Sequence, residues 1–298
     1  DFSKFISTDK IFDKSINKLH GKLINHPTRA VTGHNWNENN QNWKINSTKH
    51  SSIHFHEDDL SDCNWETDFK FKIPNKMKSG IYAVKLSNRK DEFYIPFCVN
   101  PKKISKKNKI LFLMPTASYL AYANNRIGID VPETELVCGR LIEINKQDLF
   151  LQEHPELGLS FYDLHNDGSP VFYSSKKRPI INFQPKSVGK LGGIGSNVWQ
   201  FNADTHITGW LDNYGYDFDV ITDSDLHTDG FEIIRDYSVI ITGTHPEYYS
   251  LNMIQAIEKY KNEGGRLMYL GGNGFYWRIS YDTKSTDIIE CRKSEGGI

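Results

Sequence analysis

The chain has 298 residues, with 36 Lys and Arg against 37 Asp and Glu, 11 His and 4 Cys. That length predicts one large or two medium domains with a real core. The near-neutral balance argues against a nucleic-acid or polyanion binder. Cys63, Cys98, Cys138 and Cys291 are scattered with no CxxC pair, which argues against a disulfide framework or a thiolate zinc site. No apolar run approaches the roughly 20 residues of a membrane span, and no signal-like start is present. A cytoplasmic protein is the expectation. The chain opens at Asp1 rather than Met and ends without a closing element, so a fragment of a longer protein is expected.

Residues 1–50 carry weak strand signals and read as the end of a separate β module. Residues 51–104 alternate apolar and polar side chains at 52–56, 67–74, 80–86 and 92–99. Period two between turn-forming clusters predicts short antiparallel strands of a β-sandwich portion. Residues 87–91 form a plausible hairpin loop between the last two. The basic stretch 101–109 reads as a solvated linker.

From Ile110 the rhythm changes. Residues 110–114, Ile-Leu-Phe-Leu-Met, are a continuous apolar run ended by Pro115, as expected of a strand buried on both faces. A helix over 118–125 and an apolar segment over 179–183 follow. Then come a helix over 204–214, a strand over 218–222, a helix over 230–237, a strand over 239–242, a helix over 251–262 and a strand over 266–270. This alternation predicts βαβ units and a parallel sheet for residues 105–298. Gly215 and Gly264 stand where helices end with positive φ.

Ligands of open parallel sheets bind beyond the carboxyl ends of the strands. Those ends are 115–125, 223–227, 243–250 and 271–277. Gly243-Thr-His245-Pro-Glu247 combines an imidazole and a carboxylate, which suits metal ligation or acid–base work. It equally suits a helix N-terminus with Glu247 in the first turn. The loop 161–169 reads as an ordinary Asp/Asn/Gly turn or as a polar site loop. Residues 190–197, Lys-Leu-Gly-Gly-Ile-Gly-Ser-Asn, fit neither dinucleotide nor P-loop spacing and read as a flexible loop or lid. His54 and His56 share one strand face and so form a possible metal pair, though a polar strand end explains them too. Ser118 and Ser160 lack a GxSxG elbow, and no Cys stands in a nucleophile context.

Several strings together resemble one family. They are Pro115-Thr116, Tyr119, Tyr122 and Asn124; Tyr162-Asp163, His165 and Gly168-Ser169; Thr242-Gly-Thr-His245-Pro-Glu247-Tyr-Tyr249; and Tyr269-Leu-Gly-Gly-Asn273-Gly-Phe-Tyr-Trp277. With His26 to Trp36 and Ile53 to Leu60, they resemble the large (beta) subunit of N,N-dimethylformamidase along nearly the whole chain. The resemblance implies a hydrolase splitting the C–N bond of a small neutral amide to an amine and formate. It implies mononuclear non-haem Fe(III) held by two tyrosinates and a glutamate. The matching positions are Glu247, Tyr162 and Tyr122, with Tyr119 as the alternative to Tyr122. His245 and Asn273 match polar residues near the metal, with proton-handling and oxyanion roles expected from residue type. The resemblance also implies a lectin-like β module ending near residue 50, a small alpha subunit and a higher oligomer. The fold it implies is α/β (α+β overall): a β-sandwich portion, then a flavodoxin-like or class I glutamine-amidotransferase-like domain. Two rivals stand beside it. One is a non-catalytic carbohydrate- or partner-binding member. The other is a zinc hydrolase using His245, Glu247 and His165 or His227.

Overall fold

The computed structural model describes residues 1–39, 41–102, 108–127, 129, 144–185, 187 and 199–293. The glycine-rich stretch 190–197, Cys138 and the middle of the basic linker (103–107) lie outside the described residues. Among the described residues fourteen strands follow in chain order: β1 (Lys10–Ile11), β2 (Gly21–Lys22), β3 (Thr28–Val31), β4 (Ser52–His54), β5 (Gly80–Ser87), β6 (Glu92–Val99), β7 (Ile110–Met114), β8 (Tyr173–Ser175), β9 (Phe218–Thr222), β10 (Val239–Thr242), β11 (Tyr248–Ser250), β12 (Arg266–Met268), β13 (Trp277–Tyr281) and β14 (Ile288–Glu290). The helices are α1 (Thr116–Ala121), α2 (Lys146–Glu153), α3 (Phe201–Asn213), α4 (Asp223–Asp229), α5 (Phe231–Ile234) and α6 (Leu251–Asn262).

The architecture mixes α and β, with parallel and antiparallel pairing. A parallel sheet runs β12-β10-β7-β9. In chain order that is fourth, third, first, second, so the direction of winding reverses between β7 and β10. β7 is buried on both faces, as its unbroken apolar run requires. Leu111 and Leu113 join the cluster formed with Leu226, Ile234, Met253 and Ile257 of α4–α6. Phe112 and Met114 face the other way, toward Phe201 and Leu211 of α3 and, at its margin, Ile81 of β5. α6 buries Met253, Ala256, Ile257 and Tyr260 at helical spacing. Its start is fixed by Ser250, whose Oγ accepts from Met253 N at 3.3 Å. Gly264 and Gly215, at φ +90° and +75°, end α6 and α3 as the sequence predicts.

A second, mixed sheet runs β11-β13-β14-β8. It packs on α1, whose Ala117, Leu120 and Ala121 share a cluster with Tyr248, Ile279 and Ile289. Only five residues (243–247) separate β10 of the first sheet from β11 of the second. The hairpin β5-β6 pairs in full register from Gly80↔Val99 to Ser87↔Glu92. Ser79 before it accepts from Val220 N at 2.8 Å and donates to Val220 O at 3.2 Å, satisfying the outer edge of β9.

Some expected elements take other forms. Residues 67–74 alternate but form no strand; Phe69 and Phe71 stay half-exposed, and Phe71 packs edge-on against Phe97 at 6.0 Å. Alternation alone supplies no pairing partner. Residues 179–183 form no strand: 179–181 are irregular and 182–183 bend. Buried Asn124 takes their hydrogen bonds instead: its amide donates to Pro179 O at 2.7 Å and accepts from Ile181 N at 2.9 Å. Residues 223–227, read from the sequence only as the end of a strand, belong to helix α4, because Thr222 and Asp225 form a capping box directly at the end of β9.

Candidate metal centre

The reversal of winding leaves a crevice between the carboxyl ends of β7 and β10. α1 leaves β7 and ends at Ala121, which sets Tyr122 at its C-cap. The connection 243–247 leaves β10. Its last residue, Glu247, is held by backbone before its side chain is considered. Glu247 N donates to Ser118 Oγ at 3.0 Å, and Glu247 O accepts from Tyr276 N at 3.1 Å and Trp277 N at 2.9 Å. α6 begins only at Leu251, so Glu247 is not in a first helical turn.

A third segment arrives from the loop at 160–163. Phe161 N donates to Ala121 O at 3.0 Å, and Ser160 N and Arg126 N both donate to the Asp163 carboxylate, at 2.8 and 3.0 Å. Pinned there, the Tyr162 ring stacks on Tyr122, with centroids 4.1 Å apart and planes 18° apart.

The three side chains meet at one oxygen. Tyr122 Oη donates to Glu247 Oε2 at 2.8 Å and Tyr162 Oη to the same atom at 3.2 Å. His245 Nε2 lies 2.9 Å from that oxygen and 3.3 Å from Tyr122 Oη. Tyr248, which the sequence reading passed over, is hydroxyl-bonded to Tyr162 at 2.7 Å. Trp199 stands edge-on to Tyr122 at 4.8 Å and packs against His245 at 5.9 Å. Lys293 Nζ lies 3.5 Å from the centre of the Tyr162 ring. No motif signals Trp199 or Lys293; only their placement does.

Burial pushes the Tyr122, Tyr162 and Tyr248 phenols well above their ordinary value, and the nearby Glu247 carboxylate adds to it. Burial also opposes ionisation of Glu247, but hydrogen bonds from His245 and Tyr122 outweigh it and hold its carboxyl below the usual value. Protein groups alone therefore keep the phenols protonated around one carboxylate. Two phenol oxygens and a carboxylate are hard donors, which fits a hard, highly charged cation such as Fe(III). Such a cation is also what it takes to strip a proton from a buried phenol.

The remaining expected site residues lie elsewhere. Tyr119 is fully buried on the other side of α1 and donates to Asp204 rather than to Glu247. Asn273 is exposed on a turn at φ +52° and makes no hydrogen bond to Tyr122, Tyr162, His245 or Glu247. Its neighbour Gly272 does pass His245: a Cβ there would sit 3.9 Å from Nδ1. His165 is bonded to Asp58 at 2.5 Å and His227 to Ser250 at 2.8 Å, so neither joins His245 and Glu247 as the zinc alternative requires. Among the described residues no helix is long and apolar enough to cross a membrane.

A family profile described as N,N-dimethylformamidase beta subunit-like, C-terminal, matches residues 28–297. The chain is also similar to the N,N-dimethylformamidase beta subunits of Paracoccus aminophilus and of an Alcaligenes species. Each is 40% identical over 292 residues, which cover 98% of this chain and 38% of the relative. The chain thus spans 38% of the length of these curated relatives.

Proposed function

The chain belongs to the N,N-dimethylformamidase beta-subunit family, and from that premise we propose that it forms the metal-holding part of an iron-dependent amide hydrolase. The reaction is cleavage of the C–N bond of a small N-substituted amide, such as dimethylformamide, to an amine and formate. The observation that carries this reading is the convergence of Tyr122 and Tyr162 on Glu247 Oε2, at 2.8 and 3.2 Å. Those three residues would hold Fe(III). The chemistry such an ion supplies when bound is Lewis acidity toward a carbonyl or water oxygen.

The chain's own groups do the rest. Tyr122 and Tyr162 surrender their phenolic protons on ligation. His245, 2.9 Å from the carboxylate and 3.3 Å from the Tyr122 oxygen, is placed to hold a proton and pass it to the leaving amine. The stacked tyrosines and Trp199 wall the site with rings and limit water. Asn273, on the turn that passes His245, is assigned to the rim as a donor to the substrate oxygen.

We read the parallel sheet as a four-stranded, flavodoxin-like doubly wound arrangement, which its strand order supports. The antiparallel pairs before it are read as sandwich strands. The relatives are named as beta subunits, which supports an alpha-subunit partner and a larger assembly. The unpaired Cys63, Cys98 and Cys291 support a reducing, cytoplasmic setting. The test is metal analysis and a visible spectrum, followed by amine release from a panel of amides. A metal-replete protein without iron and without a tyrosinate charge-transfer band would sink the proposal.

A further inference from the structure

A second cluster lies on the far side of the loop that carries Tyr162. There the end of β4 meets residues 165–169, more than a hundred positions away. The His56 and His165 rings stack with centroids 3.6 Å apart and planes 4° apart, and the His54 ring lies against His56 at 4.1 Å, tilted by 43°. His56 Nδ1 is 3.0 Å from Asp59 Oδ1, and Asp59 Oδ2 also accepts from His56 N at 2.9 Å. His165 Nδ1 is 2.5 Å from Asp58 Oδ1, and His54 Nε2 is 2.8 Å from Asp167 Oδ2. The His56, Asp59 and His165 side chains are only 3%, 10% and 6% exposed. That is unusual shelter for two imidazoles and a carboxylate.

Two features bear on the charge of the cluster. The Ser169 hydroxyl lies between Asp167 Oδ1 at 2.6 Å and His56 Nε2 at 2.9 Å. In addition, no Lys or Arg among the described residues pairs with Asp58, Asp59 or Asp167, whose ion-pair partners are His165, His56 and His54. Protonating rings stacked 3.6 Å apart brings like charges together, whereas one divalent ion answers the carboxylates without that repulsion. One ligand atom from each of His56, Asp59 and His165 already lies within 4.8 Å of the others. Tetrahedral ligands at roughly 2.0–2.1 Å from zinc stand about 3.4 Å apart, and each ring nitrogen donates in its own ring plane, so binding draws the three atoms together and turns one imidazole out of the parallel stack.

We propose that His56, Asp59 and His165 form a second, structural site for a divalent transition metal of the zinc class, separate from the tyrosine–glutamate centre. Imidazole and carboxylate donors suit that class. Asp58 takes the place of the carboxylate that orients a ligating histidine. The open side is edged by His54 and Asp167. Because His165 stands three residues after Tyr162, the ion fixes the loop that presents Tyr162 to Glu247. This site does not depend on which metal, if any, Glu247 holds.

The experiment is Co2+ and Zn2+ titration of the untagged, chelator-treated chain, read by bound metal after gel filtration, by the visible bands of Co2+ and by the melting temperature. The expected result is one equivalent that survives Glu247→Ala and binds at least tenfold more weakly in His165→Gln. A rise in melting temperature with Zn2+ is expected in the unaltered protein, so the test holds even if His165→Gln fails to fold. Two results overturn the proposal: no Zn2+ retained and no rise in melting temperature, or a Co2+ equivalent that Glu247→Ala removes and His165→Gln keeps.

Discussion

Tyr122 and Glu247 stand 125 positions apart in the chain, and the phenol of one donates to the carboxylate of the other at 2.8 Å. The contact joins the end of the first strand of the parallel sheet to the end of the third. It exists because winding reverses between those strands, so two connections that would otherwise diverge face one crevice.

Glu247 is the acceptor shared by Tyr122, Tyr162 and His245. Glu247→Ala should reduce bound iron to less than a tenth, measured by metal analysis of the folded variant. One buried and two partly buried donors then lose their acceptor, so a loss of about 1–3 kcal/mol in denaturant unfolding is also expected. Full iron content in the variant would remove Glu247 from the ligand set.

The tyrosines separate by partner. Tyr122→Phe and Tyr162→Phe should each abolish or strongly shift the visible charge-transfer band. Tyr119→Phe should leave the band in place, since its hydroxyl faces Asp204. That variant instead leaves a buried carboxylate short of a donor and should lower the melting temperature.

Asp204 gives a pH signature. Burial, set against hydrogen bonds from Tyr119 and Thr244, lifts its carboxyl from the ordinary 3.8 to about 6. Its folded form therefore holds the proton more tightly than the unfolded chain does. The resulting stability is fully present below pH 3.8 and is lost as pH rises through about 6. Compared with Asp204→Asn, the unaltered protein should lose on the order of 1–3 kcal/mol across that window. Parallel stability curves for the two proteins would contradict it.

Ser118 is fully buried, and its hydroxyl accepts the Glu247 amide at 3.0 Å. It holds the Glu247 backbone in place, and on the proposed reading it does not attack substrate. Ser118→Ala should cost about 1–3 kcal/mol and leave measurable turnover, because only a buried amide loses its acceptor. Complete loss of turnover with iron and fold intact would point to a nucleophilic serine instead.

Parts of the fold were legible in the sequence. β7 announced itself by an unbroken apolar run, α6 by its spacing and by Gly264, and the hairpin β5-β6 by alternation. The rest depended on partners that a local pattern does not name. Residues 67–74 alternate like a strand but find no strand to pair with, and 179–183 give their hydrogen bonds to the Asn124 side chain. In the same way, the helix α4, which the sequence reading did not place, starts where Thr222 caps it.

The sequence by itself marked out the candidates for chemistry. His245 and Glu247 sit two apart after an apolar strand, and tyrosines follow another. Spacing along a chain also fixed the helix ends, because capping and positive φ are local. Only the tertiary structure decided which tyrosine meets the glutamate. Tyr119 and Tyr122 are three positions apart on and just beyond one short helix, yet one faces Asp204 in the core and the other Glu247 in the crevice. Nor does any local signal place Trp199, Lys293 or the stack of His54, His56 and His165, since each meets its partners through chain brought back from far along the sequence.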